Sequence, residues 1–128
     1  MDDRIQLYTD SKWEPVVGYC RALRVGNRVL VSGTTASTPS GVIGGDDIGA
    51  QTTEILRRID EVLQRAGAHL EHVISTRIYV TDISRWEEVG RAHGDVFGHI
   101  RPTTTMVEVS GLVDPALLVE IEAEALVP

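Results

Sequence analysis

The stretch from residue 48 to residue 67, IGAQTTEILRRIDEVLQRAG, decides the fold class. Its apolar and small side chains recur every three or four residues, which is the spacing of one face of an α-helix. Asp46 or Asp47 can cap the start of this helix, and Gly67 is suited to end it. The predicted buried stripe consists of Ile48, Thr52, Ile55, Ile59, Val62 and Ala66.

Short strands and one further helix surround this helix in the sequence. Two strand-like runs flank Gly26-Asn27, which predicts a tight hairpin. Ser84 and Glu87 have the spacing of a capping box for a second helix, whose apolar face comprises Trp86, Val89, Ala92 or His93, and Val96. The predicted strands contain Ile5 and Leu7 and then span 21–25, 28–32, 74–80, 103–110 and 117–126, with a polar loop at 35–45.

The order β-β-β-α-β-α-β-β predicts an α+β fold with a mixed sheet of about six strands and two helices packed on one face. We expect residues 1–128 to form a single domain, because 128 residues is a typical domain length. Hydrophobic residues make up 42% of the chain, which argues against disorder.

Charge and targeting features narrow the class of protein. The net charge of −7 gives no overall reason to bind nucleic acid or an anionic membrane. The acidic N-terminus lacks an apolar segment, and no apolar run approaches the length of a membrane span. A cytoplasmic protein is therefore expected. Cys20 is the single cysteine, so it cannot form an internal disulfide.

The last predicted strand separates the two faces of the sheet. Alternate positions from Leu117 to Ala125 are apolar, whereas Glu120, Glu122 and Glu124 point to the other face. That face also receives Val73, Ser75, Arg77 and Tyr79 in the predicted register, so it is mixed in character. A subunit interface with polar clefts and a simple solvated face both explain it, and the two interpretations stay open.

Residue chemistry alone suggests few candidates for a site. Acidic residues on an edge strand usually discourage edge pairing, but Glu120 lies deepest and is worth weighing as a catalytic carboxylate. The turn at Ser32-Gly33-Thr34 can present backbone N–H groups to an anion. Cys20 has no evident partner base, and His93 on an apolar helix face is more typical of a packed histidine than of a ligand. No metal-binding or dinucleotide-binding motif is present.

Several motifs together resemble the RidA (YjgF/YER057c) family. Gly18-Tyr19 with Val25-Gly26-Asn27 resembles the family's opening G-P-Y-S-Q-A…G-N, and residues 29–33 resemble its V-x-V-S-G strand. Residues 67–82 look like its A-G…Y-x-x-D segment, and 101–109 with 119–123 resemble its R-P-A-R-S-x-V-x-V…V-E-I-E-A close. The match covers nearly the whole chain in the right order.

The resemblance implies a homotrimer with a chorismate-mutase-like fold and a small-molecule ligand in clefts between subunits. Such proteins hydrolyse reactive enamines and imines without a cofactor or metal. The implied catalytic residues are Glu120 and Tyr19, and the turn at Ser32, Gly33 and Thr34 is implied to contact the ligand. Neither nucleic acid nor a membrane is an expected partner.

One departure from the family pattern concerns its catalytic arginine. The motif P-A-R-S is replaced by Pro102-Thr103-Thr104-Thr105, so Thr104 stands at the arginine position. A hydroxyl offers one neutral hydrogen bond where a guanidinium offers two charge-assisted ones. Hydrolysis of 2-imino acids is therefore doubtful, and this divergent member is expected to take a less anionic ligand. Thr104 is then a candidate to bind a neutral substrate end.

Two questions about function stay open at this stage. Arg21 shares a strand face with Tyr19, so it is a candidate replacement cation, although an ordinary exposed strand arginine is the simpler interpretation. The alternative to a hydrolase is a non-catalytic ligand-binding or regulatory module. An endoribonuclease or translation inhibitor is disfavoured, because the chain has no basic-aromatic stripe.

Overall fold

Strands and helices alternate along the chain much as the apolar patterns predict. The computed structural model describes residues 4–128. The elements are β1 (Arg4–Leu7), α1 (Trp13–Val17), β2 (Ala22–Val25), β3 (Arg28–Thr34), β4 (Ser37–Thr38), β5 (Gly41–Val42), α2 (Ile48–Arg65), β6 (Val73–Val80), α3 (Trp86–Phe97), β7 (Thr103–Glu108) and β8 (Val119–Leu126).

Six of the strands form one mixed sheet in the order β1-β2-β3-β8-β6-β7. All neighbours are antiparallel except β6 and β7, which are parallel. The hairpin between β2 and β3 has the predicted two-residue loop, in which Gly26 takes a φ of 60°. The α+β fold with a six-stranded mixed sheet is therefore confirmed.

Helix α2 supplies much of the core and matches its prediction closely. The side chain of Asp47 accepts a hydrogen bond from the backbone N–H of Ala50 at 3.0 Å, and Gly67 follows the helix with a φ of 79°. All six predicted stripe residues are buried against the sheet. Fully burying one aliphatic side chain is worth about 1.5–3 kcal/mol, so this stripe fixes the helix on the sheet. The wholly buried isoleucines of the stripe are Ile48, Ile55 and Ile59.

The predicted capping box of the second helix is wrong. Asp82, not Ser84, acts as the cap, because its carboxylate accepts hydrogen bonds from the N–H and the hydroxyl of Ser84. A 3₁₀ turn at Ile83–Arg85 follows, and α3 begins only at Trp86. Trp86 is 57% exposed, so the buried face is shifted from the predicted one to Val89, Ala92, His93 and Phe97.

A bulge near the start of β6 reverses the faces predicted for the first residues of this strand. Val73 pairs with Ala125 and Ser75 pairs with Glu124, so Ile74 is an extra residue between two paired positions. Val73 is consequently buried and Ile74 is 44% exposed, the reverse of the prediction. From Thr76 onward the predicted alternation holds.

Three small elements, α1, β4 and β5, do not appear among the predictions. The polar loop at 35–45 contains the two-stranded β4-β5 hairpin, and the five-residue helix α1 precedes β2. All three are too short to produce a periodic apolar pattern. Helix α1 nevertheless matters, because it carries the buried carboxylate of Glu14.

Candidate functional site

Arg21 lies at the centre of the best-connected polar cluster. It donates from Nη1 to the carbonyl of Gly33 at 2.7 Å and to the hydroxyl of Thr34 at 3.3 Å. It also donates from Nη2 to the Tyr19 hydroxyl at 3.2 Å and from Nε to Glu14 at 3.3 Å. Only 12% of its side chain is exposed. Arg21 is therefore not an ordinary exposed strand arginine.

Glu14 neutralises this guanidinium from helix α1. Its carboxylate is 4% exposed and accepts hydrogen bonds from the backbone N–H and hydroxyl of Thr9. Burial by itself would raise the pKa of Glu14, but the Thr9 hydrogen bonds and the pairing with Arg21 outweigh burial and hold the pKa below its usual value. The cluster thus contains an ionised carboxylate and its counter-ion rather than a spare positive charge.

Glu120 extends from β8 over the neighbouring β3 at Gly33. A Cβ added to Gly33 would lie 2.1 Å from Oε2 of Glu120, so only glycine permits this approach. Burial raises the pKa of Glu120, repulsion from Glu122 adds to the rise, and attraction by Arg21 opposes it. Within residues 4–128 no hydrogen bond to its carboxylate occurs, which leaves both oxygens able to act on a bound molecule.

Tyr19 and the turn residues lie around the same point. Gly18 ends α1 with a φ of 87°, and Tyr19 follows at the edge of an open depression that Glu14 also lines. The hydroxyl of Ser32 donates to the carbonyl of Cys20 at 2.8 Å, and that of Thr34 donates to the carbonyl of Ser32 at 2.8 Å. Both hydroxyls of the turn are therefore engaged within the protein.

Thr104 is the one predicted site residue that lies elsewhere in the chain. It is on β7, three strand intervals from β3, which corresponds to about 14 Å. Thr104 pairs with Thr76, which pairs with Ala123, so it faces the helix side of the sheet. Glu120 faces the other side. A single chain therefore brings Tyr19, Arg21, Gly33 and Glu120 together without Thr104.

Thr104 instead belongs to a hydrogen-bonded chain that ends at a buried histidine. Oγ1 of Thr76 donates to Oγ1 of Thr104 at 2.8 Å and lies 2.9 Å from Nε2 of His93. His93 is 9% exposed and packs beside Phe97, with 4.7 Å between the ring centroids. Burial lowers the pKa of His93 below its usual value, which favours the neutral imidazole.

The mixed face of the sheet carries polar contacts between exposed apolar side chains. The Tyr79 hydroxyl donates to Glu122, and the hydrogen bond with that carboxylate is the main cause that raises the pKa of Tyr79. On the same face Leu30 is 40% exposed and Val107 is 43% exposed. The single chain thus leaves open both interpretations of this face, interface or solvated surface.

Glu14 is a member of the site that no sequence pattern indicates. The residue lies in a helix of five residues, which has no periodicity to detect, and its partner Arg21 is seven positions away. The only available indication was a charged residue shortly before the Gly18-Tyr19 motif. Across the part of the chain that the structure covers, no group of three or more histidine, cysteine or acidic side chains is arranged to hold a metal. Over the same residues, every helix is too short or too polar to cross a membrane.

Known proteins resemble this chain in sequence over most of its length. A family model described as Endoribonuclease L-PSP matches residues 9–127. An uncharacterised protein of Streptomyces coelicolor is 36% identical over 120 residues, which cover 94% of this chain and 90% of that protein. The 3-aminoacrylate deaminase RutC of Acinetobacter baylyi is 32% identical over 112 residues, 87% of this chain and 88% of that enzyme.

Solved structures resemble nearly the whole chain. Rv2704 of Mycobacterium tuberculosis, a member of the YjgF/YER057c/UK114 family, superimposes with a TM-score of 0.90 at 55% sequence identity. That match covers 98% of this chain and all of the other. A Yersinia pestis protein of the Rid family gives a TM-score of 0.84 at 32% identity, covering 97% of this chain and 99% of the other.

Proposed function

Because the chain belongs to the RidA/YjgF family, we propose that it forms a homotrimer whose intersubunit clefts bind a small reactive metabolite and hydrolyse its imine or enamine C=N group. The observation that carries this proposal is the Glu120 carboxylate, which is packed over Gly33 with a raised pKa and accepts no hydrogen bond from residues 4–128. The raised pKa makes this carboxylate a better proton carrier than an ordinary exposed one.

Hydrolysis of an imine needs one proton carrier and one water molecule. Glu120 takes a proton from water as the water oxygen bonds to the imine carbon, and it returns that proton to the nitrogen. The resulting carbinolamine then loses ammonia: its C–N bond breaks as the hydroxyl proton is transferred to the nitrogen, which leaves a carbonyl compound. For an enamine, protonated Glu120 first gives its proton to carbon, and the raised pKa favours this form.

Tyr19 and Arg21 position the ligand in this proposal. Four of the five N–H groups of Arg21 bond to Glu14, Tyr19, Gly33 and Thr34, so one remains for a ligand oxygen. The negative charge of Glu14 offsets that of the guanidinium. Arg21 is therefore a poor replacement for a carboxylate-binding arginine, and it is better suited to a neutral oxygen.

The trimer brings Thr104 into the cleft in this proposal. Thr104 faces the opposite side of the sheet from Glu120 within one chain, so the two can share a ligand only when they come from different protomers. The exposed apolar residues Leu30 and Val107 on the mixed face give the protomers a surface to bury. A cytoplasmic location stays a prediction.

The pairing of Arg21 with Glu14 also favours a second candidate function, a ligand-binding module without turnover. Arg21 is paired with Glu14, and Thr104 stands where the family has an arginine. A site whose central arginine is already neutralised binds an acidic imine less strongly, so the cleft can retain binding of another metabolite after losing this reaction.

Turnover separates the two candidates. An amino-acid dehydratase generates 2-iminobutanoate in the presence of the purified protein, and release of 2-oxobutanoate is followed above the spontaneous rate. Enamine substrates such as 3-aminoacrylate are tested in parallel. Glu120→Gln should lower any turnover about 10²–10⁴-fold, the usual contribution of a positioned proton carrier. Light scattering measures the oligomeric state of each sample.

The matched control is Glu124→Gln, on the same strand and face but paired with Arg28 at the surface. It should leave turnover unchanged. Equal activity of the native protein and Glu120→Gln, or a monomer in solution, would refute the proposed hydrolase. Protection of the trimer by a substrate analogue without any product would favour the binding module.

A further inference from the structure

A buried histidine is connected to the exposed edge of the sheet through two threonine hydroxyls. His93 is 9% exposed and Thr76 is 1% exposed, whereas Thr104 on the edge strand β7 is open to its surroundings. The two contacts measure 2.9 Å and 2.8 Å. A buried polar chain of this kind is stable only if each member is satisfied, so the direction of its hydrogen bonds can be deduced.

The proton count fixes that direction. The geometry lets Thr76 donate to Thr104, and this bond uses the only hydroxyl proton of Thr76. Thr76 must then accept from His93, so Nε2 of the neutral imidazole carries the proton. Thr104 receives a hydrogen bond, and among residues 4–128 its own proton has no acceptor. The chain therefore ends in a hydroxyl that donates outward, strengthened by the polarisation of the two bonds behind it.

We propose that Thr104 is a donor subsite for an uncharged acceptor oxygen, such as an amide carbonyl, and that Thr76 and His93 are positioning residues that orient it. One hydroxyl satisfies a neutral carbonyl well. It compensates only part of the desolvation of a carboxylate, because burial of an unpaired charge costs far more than burial of a dipole. The hydrogen-bonded series of His93, Thr76 and Thr104 contains no cation, because burial lowers the pKa of His93 and favours the neutral imidazole.

This inference rests on the proposed intersubunit cleft and specifies its substrate class. The ligand reacting at Glu120 should carry a neutral amide, ester or ketone oxygen at the end that Thr104 contacts. A carboxylate at that end should be disfavoured. His93 and Thr76 thereby help to select the substrate without touching it.

Two probes that differ at one end test the selection. We compare binding of 2-oxobutanamide with that of 2-oxobutanoate to the native protein by calorimetry. The amide should bind at least tenfold more tightly than the acid. Thr104→Arg should reverse the preference, because a guanidinium pairs with the carboxylate through two charge-assisted hydrogen bonds.

Three further variants test the positioning role. Thr76→Val removes the relaying hydroxyl and should weaken amide binding by roughly two- to tenfold, the range of one net hydrogen bond. Thr76→Ser keeps the hydroxyl and should restore native affinity. Thr105→Val is the matched control, because it changes the same strand on its other face. The ¹⁵N spectrum of the His93 imidazole should show a protonated Nε2 that changes in Thr76→Val.

The outcomes separate this inference from the proposed function. Native preference for the acid, or unchanged amide affinity in Thr76→Val, would overturn the donor subsite and leave the hydrolase proposal standing. Failure of both probes to bind the native protein would overturn the subsite and the ligand cleft together. If Thr76→Val does not fold, Thr104→Val replaces it as the test, because Thr104 is exposed. Unchanged amide affinity in Thr104→Val would also overturn the subsite.

Discussion

Replacing Glu14 by glutamine removes the counter-ion of Arg21 with almost no change in size. Glu14 is 4% exposed and accepts from two groups of Thr9 and from Arg21, whose side chain is 12% exposed. Glutamine retains one acceptor oxygen for Thr9, but its amide cannot compensate the guanidinium. Hydrogen bonds to a charged group are worth about 1.5–3 kcal/mol each, and breaking a buried pair costs about 3–5 kcal/mol.

The remaining partners of Arg21 reduce this cost. Gly33, Thr34 and Tyr19 still accept hydrogen bonds from the guanidinium, so its charge is solvated in part. We therefore expect Glu14→Gln to lower the free energy of unfolding by about 2–3 kcal/mol at pH 7. For a chain of this length that loss corresponds to a decrease in melting temperature of roughly 6–15 °C.

The dependence on pH gives the prediction a second test. The pKa of Glu14 is lowered in the folded protein, so its stabilisation is fully present above the unfolded value of 4.5. It disappears as the pH falls through the folded pKa. The difference between native protein and Glu14→Gln should therefore be constant between about pH 6 and pH 8 and shrink below about pH 4.5.

Urea unfolding does not screen ion pairs, so it measures the difference in unfolding free energy between the native protein and Glu14→Gln at each pH. Glu61→Gln is the control, because Glu61 is 66% exposed in a surface pair with Arg57 and should change stability by less than 1 kcal/mol. A cost for Glu14→Gln equal to that of the control, or one that grows as the pH falls, would refute the description of Glu14 as an ionised counter-ion.

Gly33→Ala should reduce ligand binding and any turnover at least tenfold, because its Cβ would lie 2.1 Å from the Glu120 carboxylate. The contrasting variant Gly94→Ala should be neutral or stabilising by about 1 kcal/mol in thermal unfolding, since nothing lies within 4 Å of the added Cβ. Ile55→Ala should cost about 2–5 kcal/mol of unfolding free energy, because Ile55 is completely buried in the core. Repurified protein should not cleave RNA, given the net charge of −7; cleavage that disappears in Glu120→Gln would contradict this.

The candidate site was predictable only where its residues are close in sequence or lie on a long periodic element. Tyr19 and Arg21 are two positions apart, so their association was predictable from closeness in the sequence, although β2 begins only at Ala22 and neither residue lies in a strand. The approach of Glu120 to Gly33 depends instead on the pairing of β3 with β8, which joins distant parts of the chain. The resemblance to a known family named these residues, but it said nothing about Glu14.

Two wrong predictions, the faces of β6 and the cap of the second helix, have a local physical cause that the apolar pattern does not reveal. The bulge at Ile74 reverses two side chains in β6, because one extra residue changes the face of the strand. The cap at Asp82 displaces the predicted cap at Ser84 by two positions, since both residue types are suitable caps. In each case the local backbone adopts one of two options that the apolar pattern does not distinguish.

The sequence by itself determined the order of the longer elements, the buried stripe of α2 and the alternating faces of β8, because these depend on helix and strand periodicities of 3.6 and two residues. Only the tertiary structure decided which polar groups meet. It paired Arg21 with Glu14 and joined His93 to Thr104 through Thr76. The physical reason is that hydrogen bonds act over about 3 Å, whereas periodicity constrains direction and says nothing of contact between elements far apart in the chain.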